Sequence, residues 1–172
     1  SNWPVIGFLA KLQETLLIER KANRVAIQKN EIMNFLSRGK KLVLFPEGTS
    51  SDGNRVLSFK SSLFSIGETE KSKLGDYEFQ AVTICYSGIN GLPMSRSQRP
   101  NVAWWGNMNL FSHLWNLMSL SSIVITVTAH EPICKVDNRK TMSFTAWKQV
   151  SYGMGKALSG SPSPVEIKET VM

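Results

Sequence analysis

The stretch Lys41-Leu42-Val43-Leu44-Phe45-Pro46-Glu47-Gly48-Thr49-Ser50-Ser51-Asp52-Gly53 constrains this chain more than any other. Leu42 to Phe45 is a short, unbroken apolar run behind basic residues, the pattern of a strand buried on both faces. Pro46 has no N–H to donate, so the ladder ends there. Glu47 then stands on the lip of the sheet, and Gly48 lets the backbone turn sharply. Thr49, Ser50, Ser51 and Asp52 add polar side chains and loop N–H groups. Polar residues just past the end of a buried strand are where open α/β sheets place their ligands. An isolated Pro-Glu-Gly also serves as an ordinary strand-to-loop turn, so the flanking sequence has to decide.

A chain of 172 residues suits one domain and can bury a core. Its 42% hydrophobic content and mean hydropathy of −0.13 are those of a globular protein. The net charge of +7 and pI near 9.6 suit a phosphate-bearing partner, an anionic membrane surface or nucleic acid. No Lys/Arg run with interleaved aromatics is present, so nucleic acid is not expected as a partner. Cys85 and Cys134 lie far apart and make no metal-type pair, and two histidines without a Cys-x2-Cys make a zinc site improbable. Cys85 sits in an apolar run, as a buried thiol would, and a reducing cytoplasmic setting is the default. No apolar run reaches about 18 residues, so no transmembrane helix is expected. Ser1 to Ala10 has no basic n-region of a signal peptide, and the sequence has no initiator Met.

Trp3-Pro4 reads as a helix start, with Ile6, Leu9, Ala10 and Leu12 as a short apolar stripe. Leu16 to Ile18 is strand-like and runs into Glu19-Arg20-Lys21. Asn23 to Arg38 is a helix with Val25, Ile27, Ile32, Phe35 and Leu36 on its apolar face, stopped by Gly39. Strand, helix and strand predict a right-handed βαβ crossover. Parallel neighbours would bring Arg20 and Glu47, 27 positions apart, to one edge of the sheet. There an Arg fork can bind an anion bidentately, although a surface ion pair of Arg20 with Glu19 is the plainer alternative. After the turn, Phe59-Lys60-Ser61-Ser62 predicts a helix opened by small residues, with Lys60 adding charge near its N–H groups. An ordinary helix start explains the same residues.

Glu68 to Asp76 is a charged, exposed loop, Phe79 to Tyr86 a strand, and Ser87 to Asn101 a loop rich in Gly, Pro, Ser and Arg. In Asn107 to Leu120 the residues Leu110, Phe111, Leu114, Trp115, Leu117 and Met118 crowd one side at helical spacing. Core packing is the expected use of such a stripe. A membrane-surface role is the alternative, because Trp104 and Trp105 precede it. Ile123 to Thr128 is a β-branched strand ending at His130-Glu131-Pro132, and Asn138 to Leu158 a closing helix. Gly160 to Met172 reads as a polar tail, giving a domain over 1–158 and a tail over 159–172. No internal repeat is found.

Phe45-Pro46-Glu47-Gly48-Thr49 resembles the third sequence block of the glycerolipid acyltransferases, of the lysophosphatidic acid acyltransferase type. Leu17-Ile18-Glu19-Arg20 resembles their second block, Phe59-Lys60 a Phe-Lys pair after the third, and Phe79 to Tyr86 the fourth. The Trp-Gly-Asn-Met and His-Leu-Trp wording resembles bacterial members, so the resemblance runs from Trp3 to Leu158. It implies an α/β fold, a mixed sheet flanked by helices, with the N-terminal part missing. It implies acyl transfer from acyl-CoA or acyl carrier protein to the free hydroxyl of a lysophospholipid, as in making phosphatidic acid, without a metal or cofactor. The setting it implies is peripheral, on the cytoplasmic face of the membrane. Arg20, Phe45, Pro46, Glu47, Gly48, Thr49 and Lys60 are the acceptor-binding residues it implies.

Two departures qualify that expectation. The family's base is the His of a His-x4-Asp pair, which takes the hydroxyl proton while the Asp fixes the imidazole. Five positions after His113 stands Met118, and five after His130 stands Lys135, so neither makes the pair. In family members the pair precedes the segment resembling Trp3-Pro4, so the chain is expected to start downstream of it. No catalytic residue is carried over, and a non-catalytic lipid-binding remnant is the competing expectation. His113 is expected to pack, and His130 to lie at the surface. The second departure is Ser50, where many members have Arg. It makes a differently charged lysolipid, such as lyso-ornithine lipid, a more plausible acceptor. Gly153-Met154-Gly155-Lys156 lacks P-loop spacing, and Gly48 to Gly53 is no Gly-x-Ser-x-Gly elbow.

Overall fold

A computed structural model describes residues 32–68, 78–133, 138–160 and 167–171. The chain divides into two compact units, the first taking in residues up to Val43 and the second running from Leu44 onward apart from a short excursion. In the first unit, residues 32–37 are helical with Ile32 and Leu36 buried. Gly39 ends the helix in the left-handed conformation (φ +74°), its N–H donating to Leu36 O at 2.8 Å. The rest of the expected Asn23–Arg38 helix, the strand at Leu16–Ile18 and Arg20 lie outside the described residues.

Leu42 to Phe45 departs from expectation. The segment belongs to no ladder among the described residues, and Val43 and Phe45 are 77% and 72% exposed. Leu42 and Leu44 are half-buried, so an alternating rather than a doubly buried pattern holds here. The parallel pairing that a βαβ crossover requires is likewise absent among the described residues.

The second unit is built on an antiparallel sheet. Its strands are β1 (Phe79–Ile89), β2 (Leu92–Pro93), β3 (Ile123–Ile133) and β4 (Ile167–Val171), in the order β2-β1-β3-β4. Among the described residues three α-helices accompany it, α1 (Arg99–Val102), α2 (Leu110–Met118) and α3 (Arg139–Ser159), besides a 3-10 helix. Every pairing among the described residues is antiparallel, and the α/β expectation holds; the strand expected at Leu16–Ile18, on which a parallel pairing would depend, lies outside the described residues. β1 and β2 form a hairpin across Asn90-Gly91, both at positive φ, the two-residue turn whose twist matches the strands. The segment read as a loop therefore starts with strand. The hairpin tip is tied to β3, with Asn90 N donating to Ser122 O at 2.9 Å and Ser121 N to Asn90 Oδ1 at 3.0 Å. β4 arises within the stretch read as a tail and pairs with β3, Ile123 opposite Val171.

The α3 helix has well-defined ends. Asn138 caps it, its side chain accepting from Lys140 N and Thr141 N, and Gly160 closes it at φ 71°. α3 covers the sheet face that carries Ala81, Thr83 and Cys85 of β1, with Thr126 and Thr128 of β3 opposite Cys85 and Thr83. Val82 and Ile84 alternate onto the other face and are exposed. The approach is close because α3 has Gly153 at the crossing. A methyl group built there would stand 2.5 Å from Thr83 Oγ1 and 2.7 Å from His130 Nε2. Thr83 donates to Val150 O at 3.1 Å, so its oxygen accepts from His130 Nε2 at 2.8 Å. His130, expected at the surface, is thus half-buried beneath α3. Desolvation holds its pKa below the ordinary value.

The stripe on α2 does not enter the core. Phe111, Leu114, Trp115 and Met118 are exposed, and His113 is the buried residue of the helix, at 4% exposure. Leu110 and Leu117 are only half-buried, so a narrow sector of this short helix meets the protein.

Candidate functional site

The turn at Pro46–Gly48 is closed by Gly48 N donating to Phe45 O at 3.2 Å, with Gly48 at φ +66°. An L side chain rarely adopts that conformation, which is why glycine stands here. The following loop doubles back on the turn. Lys60 N donates to Pro46 O at 2.9 Å, and Leu57 N donates to Glu47 Oε2 at 3.0 Å. Glu47 is half-buried, and desolvation raises its pKa above the usual carboxylate value, with the Leu57 N–H acting in the opposite direction. The Lys60 side chain lies against Gly48: a methyl group on that glycine would be 2.8 Å from Lys60 Nζ. One turn thus joins a partly desolvated carboxylate and an ammonium through a glycine with no side chain of its own.

Phe59 explains why Lys60 is there. Phe59 packs on the cluster of Phe64, Ala81, Met142 and Ala146, and its ring stacks on Phe64 with centroids 6.3 Å apart. Ser143 of α3 donates to Phe59 O at 3.3 Å. The helix predicted after Lys60 is a 3-10 helix, Ser61–Glu68, packed on α3. The Phe-Lys pair therefore splits its work, Phe59 inward and Lys60 outward to the turn.

The loop beyond Thr49 is held by a residue that the sequence reading passed over. Arg99, 7% exposed at the start of α1, donates from Nη1 to Asn54 Oδ1 at 2.6 Å and from Nη2 to Met94 O at 3.2 Å. Asn54 Nδ2 in turn donates to Asp52 Oδ2 at 3.2 Å, so one amide bridges a carboxylate and a guanidinium. Those hydrogen bonds hold Asp52 below the usual carboxylate pKa. Gly53 (φ +76°) lets the loop lie on Arg99 and Ala103, whose Cβ atoms would be 3.5 and 3.4 Å from a methyl group at Gly53. The Gln98-Arg99-Pro100 step, with Pro in the first turn of α1, was the available signal that a helix starts there.

Of the expected site residues, the structure brings Pro46, Glu47, Gly48 and Lys60 together, with Phe45 and Thr49 as exposed neighbours on the same turn. Arg20 lies outside the described residues. Neither histidine is hydrogen-bonded to the turn among the described residues. His130 is engaged by Thr83, and buried His113 leaves Nδ1 without a partner there.

Comparison with known proteins shows the family of the chain. The Acyltransferase family model matches residues 1–85. The lyso-ornithine lipid O-acyltransferase of Brucella abortus (strain 2308) is 37% identical over 168 residues, covering 95% of this chain and 63% of that protein. The enzyme of the same name from Rhizobium meliloti (strain 1021) is 36% identical over 164 residues, 92% of this chain and 56% of its own length. The 1-acyl-sn-glycerol-3-phosphate acyltransferase of Neisseria gonorrhoeae is 29% identical over 127 residues, 73% of this chain and 46% of its own. The chain thus spans less than two thirds of the length of these relatives, and no solved structure matches it. In such acyltransferases the acyl donor is a substrate, and no cofactor is needed. The matched stretches take in the turn at residues 45–49 and run well beyond it, and the chain belongs to the glycerolipid acyltransferase family.

Proposed function

We propose that this chain is the acceptor-binding part of an enzyme that moves an acyl group from acyl-CoA or acyl carrier protein to the free hydroxyl of a lysolipid. It would work peripherally, at the cytoplasmic face of a membrane. The hydroxyl oxygen attacks the thioester carbonyl, a C–O bond forms, the C–S bond breaks, and the hydroxyl proton ends on the released thiol. The observation that carries this reading is the meeting of Glu47 and Lys60 at Gly48. One carboxylate and one ammonium complement a headgroup bearing both charges, and ornithine bears both. Lyso-ornithine lipid is therefore the favoured acceptor, a reading also supported by the names of the two relatives at 36% and 37% identity. A second acceptor, 1-acyl-glycerol-3-phosphate giving phosphatidic acid, is favoured by the Neisseria relative, but Ser50 supplies no Arg fork for its phosphate.

In this role Glu47 orients the acceptor and Lys60 holds its anionic group. Phe45, Pro46, Gly48 and Thr49 shape the turn, and Arg20 adds a second cation. Proton abstraction is not assigned to Glu47, because the family's base is the His of His-x4-Asp, a pair this sequence lacks. The test supplies membranes of cells expressing the native gene with labelled acyl donor and each acceptor in turn. Acylated ornithine lipid is expected, falling roughly a hundredfold with Glu47→Ala, the scale of a misplaced reactant. Near wild-type transfer by that variant would refute the acceptor role. Labelling of 1-acyl-glycerol-3-phosphate alone would move the reading to phosphatidic acid synthesis, and labelling of neither would leave a non-catalytic lipid-binding remnant.

A further inference from the structure

We propose that α2, with Trp104, Trp105 and Met108 before it, is a bilayer-docking element that seats in the headgroup–acyl boundary of an anionic leaflet. Phe111, Leu114, Trp115 and Met118 follow one another at helical spacing and are 67%, 50%, 75% and 72% exposed. A soluble surface rarely carries so continuous an apolar ridge without something to cover it.

Three observations select a bilayer as the cover. First, charge: no Asp, Glu, Lys or Arg occurs between Arg99 and Glu131, so seating this segment desolvates no charged side chain. From Phe79 to His130 there is no acidic residue, while Arg96 is exposed and the whole chain carries +7, which complements an anionic leaflet. Second, composition: three of the exposed side chains are Trp, and Asn107, Asn109, Ser112 and Asn116 stand among them, the mixture of apolar and uncharged polar groups that an interface solvates. The indole N–H groups of Trp104 and Trp105 are already used, donating to Met108 O at 3.0 Å and Pro100 O at 3.2 Å. Both rings can enter lipid without losing a hydrogen bond to water. Third, dimension: α2 has nine residues, and no described helix is long and apolar enough to cross a membrane, so the element lies on the surface.

The ridge is linked to the loop of the candidate site through α1. α2 follows α1, and Arg99 of α1 grips Asn54 in the loop that begins at Thr49. Docking here would hold that loop at the surface from which a lysolipid acceptor is drawn; only this last step rests on the proposed function.

The experiment is sedimentation of this chain with vesicles of phosphatidylcholine alone or mixed with phosphatidylglycerol. Binding to the mixed vesicles is expected, with blue-shifted Trp emission, and Phe111→Asn or Trp115→Asn should each weaken it about tenfold. Both side chains are exposed, so circular dichroism should match the wild type. Unchanged binding by both variants would overturn the proposal. So would a wild type that ignores vesicles but forms a dimer that the same variants dissolve, since a second copy would then be the cover. Acyl transfer in detergent micelles, run in parallel on the native gene product, separates the two ideas. Poor vesicle binding with normal micellar transfer supports the docking role. Normal vesicle binding by the variants, with transfer lost, counts against it and places the residues in the acceptor site instead.

Discussion

Two glycines on α3, two positions apart, should respond to the same substitution with opposite signs. Gly153 faces the sheet, and Gly155 has nothing within 4 Å of where its Cβ would be. In an open helical position Gly→Ala gains about 0.5–1 kcal/mol, because alanine has less backbone freedom to lose. Gly155→Ala should therefore stabilise the protein by about that much. At Gly153 the same gain is opposed by a methyl group 2.5 Å from Thr83 Oγ1 and 2.7 Å from His130 Cε1 and Nε2. Neither neighbour can swing away. Thr83 is a β-branched side chain, 1% exposed, and bonded to both Val150 O and His130. Overpacking of this kind costs about 1–3 kcal/mol, and losing the Thr83–His130 hydrogen bond adds about 1. The expected net for Gly153→Ala is a loss of about 1–3 kcal/mol. Urea unfolding of the two single variants beside the wild type measures both, with the midpoints moving in opposite directions. A Gly153→Ala protein as stable as Gly155→Ala would refute the close approach of α3 to β1 and the role of His130 beneath it.

The remaining predictions concern charge and the loop. Burial lowers the pKa of His130 from 6.5, so the folded state favours the neutral ring. Its contribution is fully present above about pH 6.5 and is lost as pH falls toward the folded value, and His130→Gln should flatten that part of the stability–pH curve. Glu47 has the opposite sign, because its folded pKa is raised: its contribution is present below about pH 4.5 and lost as pH rises through the folded value. Arg99→Gln breaks a charge-assisted bond to Asn54, about 1.5–3 kcal/mol, and should loosen residues 52–56. Limited trypsin digestion would then cut faster after exposed Arg55, and an unchanged rate would count against the clamp. Phe59→Ala removes a ring from the Phe64 cluster and should cost about 3 kcal/mol or somewhat less, since Phe59 is half-buried. Phe59→Leu should retain most of that stability in the same urea titration.

What the sequence disclosed well was local. Gly39 after residues 32–37 is an end signal that acts within one turn of helix, and the structure uses it; Asn138 and Gly160, read only as the start of a helix and of a tail, cap α3 in the same local way. The tight turn at Gly48, closed by its N–H on Phe45 O, is of the same kind, whereas the placing of the Phe-Lys pair over it depends on partners along the chain such as Phe64 and Met142. What was not disclosed depends on partners far along the chain. Leu42 to Phe45 has the composition of a buried strand, yet burial on both faces requires flanking strands and covering helices that four residues cannot specify. The α2 stripe has the periodicity of a core helix, and periodicity says which residues share a face, not what meets that face. Arg99 gave no clue beyond Pro100, because its partners Asn54 and Met94 are joined only by the fold. Asn90-Gly91, by contrast, was a readable hairpin signal hidden by the Gly/Pro/Ser-rich composition around it.

The candidate site shows how a core can place a charge. From Leu57 to Lys60 burial alternates, with Leu57 and Phe59 turned inward and Ser58 and Lys60 outward. Adjacent side chains of an extended segment point to opposite sides. Once Phe59 is committed to the Phe64 cluster, Lys60 has to face away from the core, and the bond from its N–H to Pro46 O brings its side chain over the turn. Leu57 contributes in the same way. Its side chain is drawn inward, and its N–H is left to meet Glu47. The carboxylate and the ammonium are thus placed by two apolar residues, and Gly48, with no side chain, leaves room for the Lys60 side chain. A change that spares both charges but shifts Phe59 would therefore move the site, whereas one that exchanges exposed Ser58 would not.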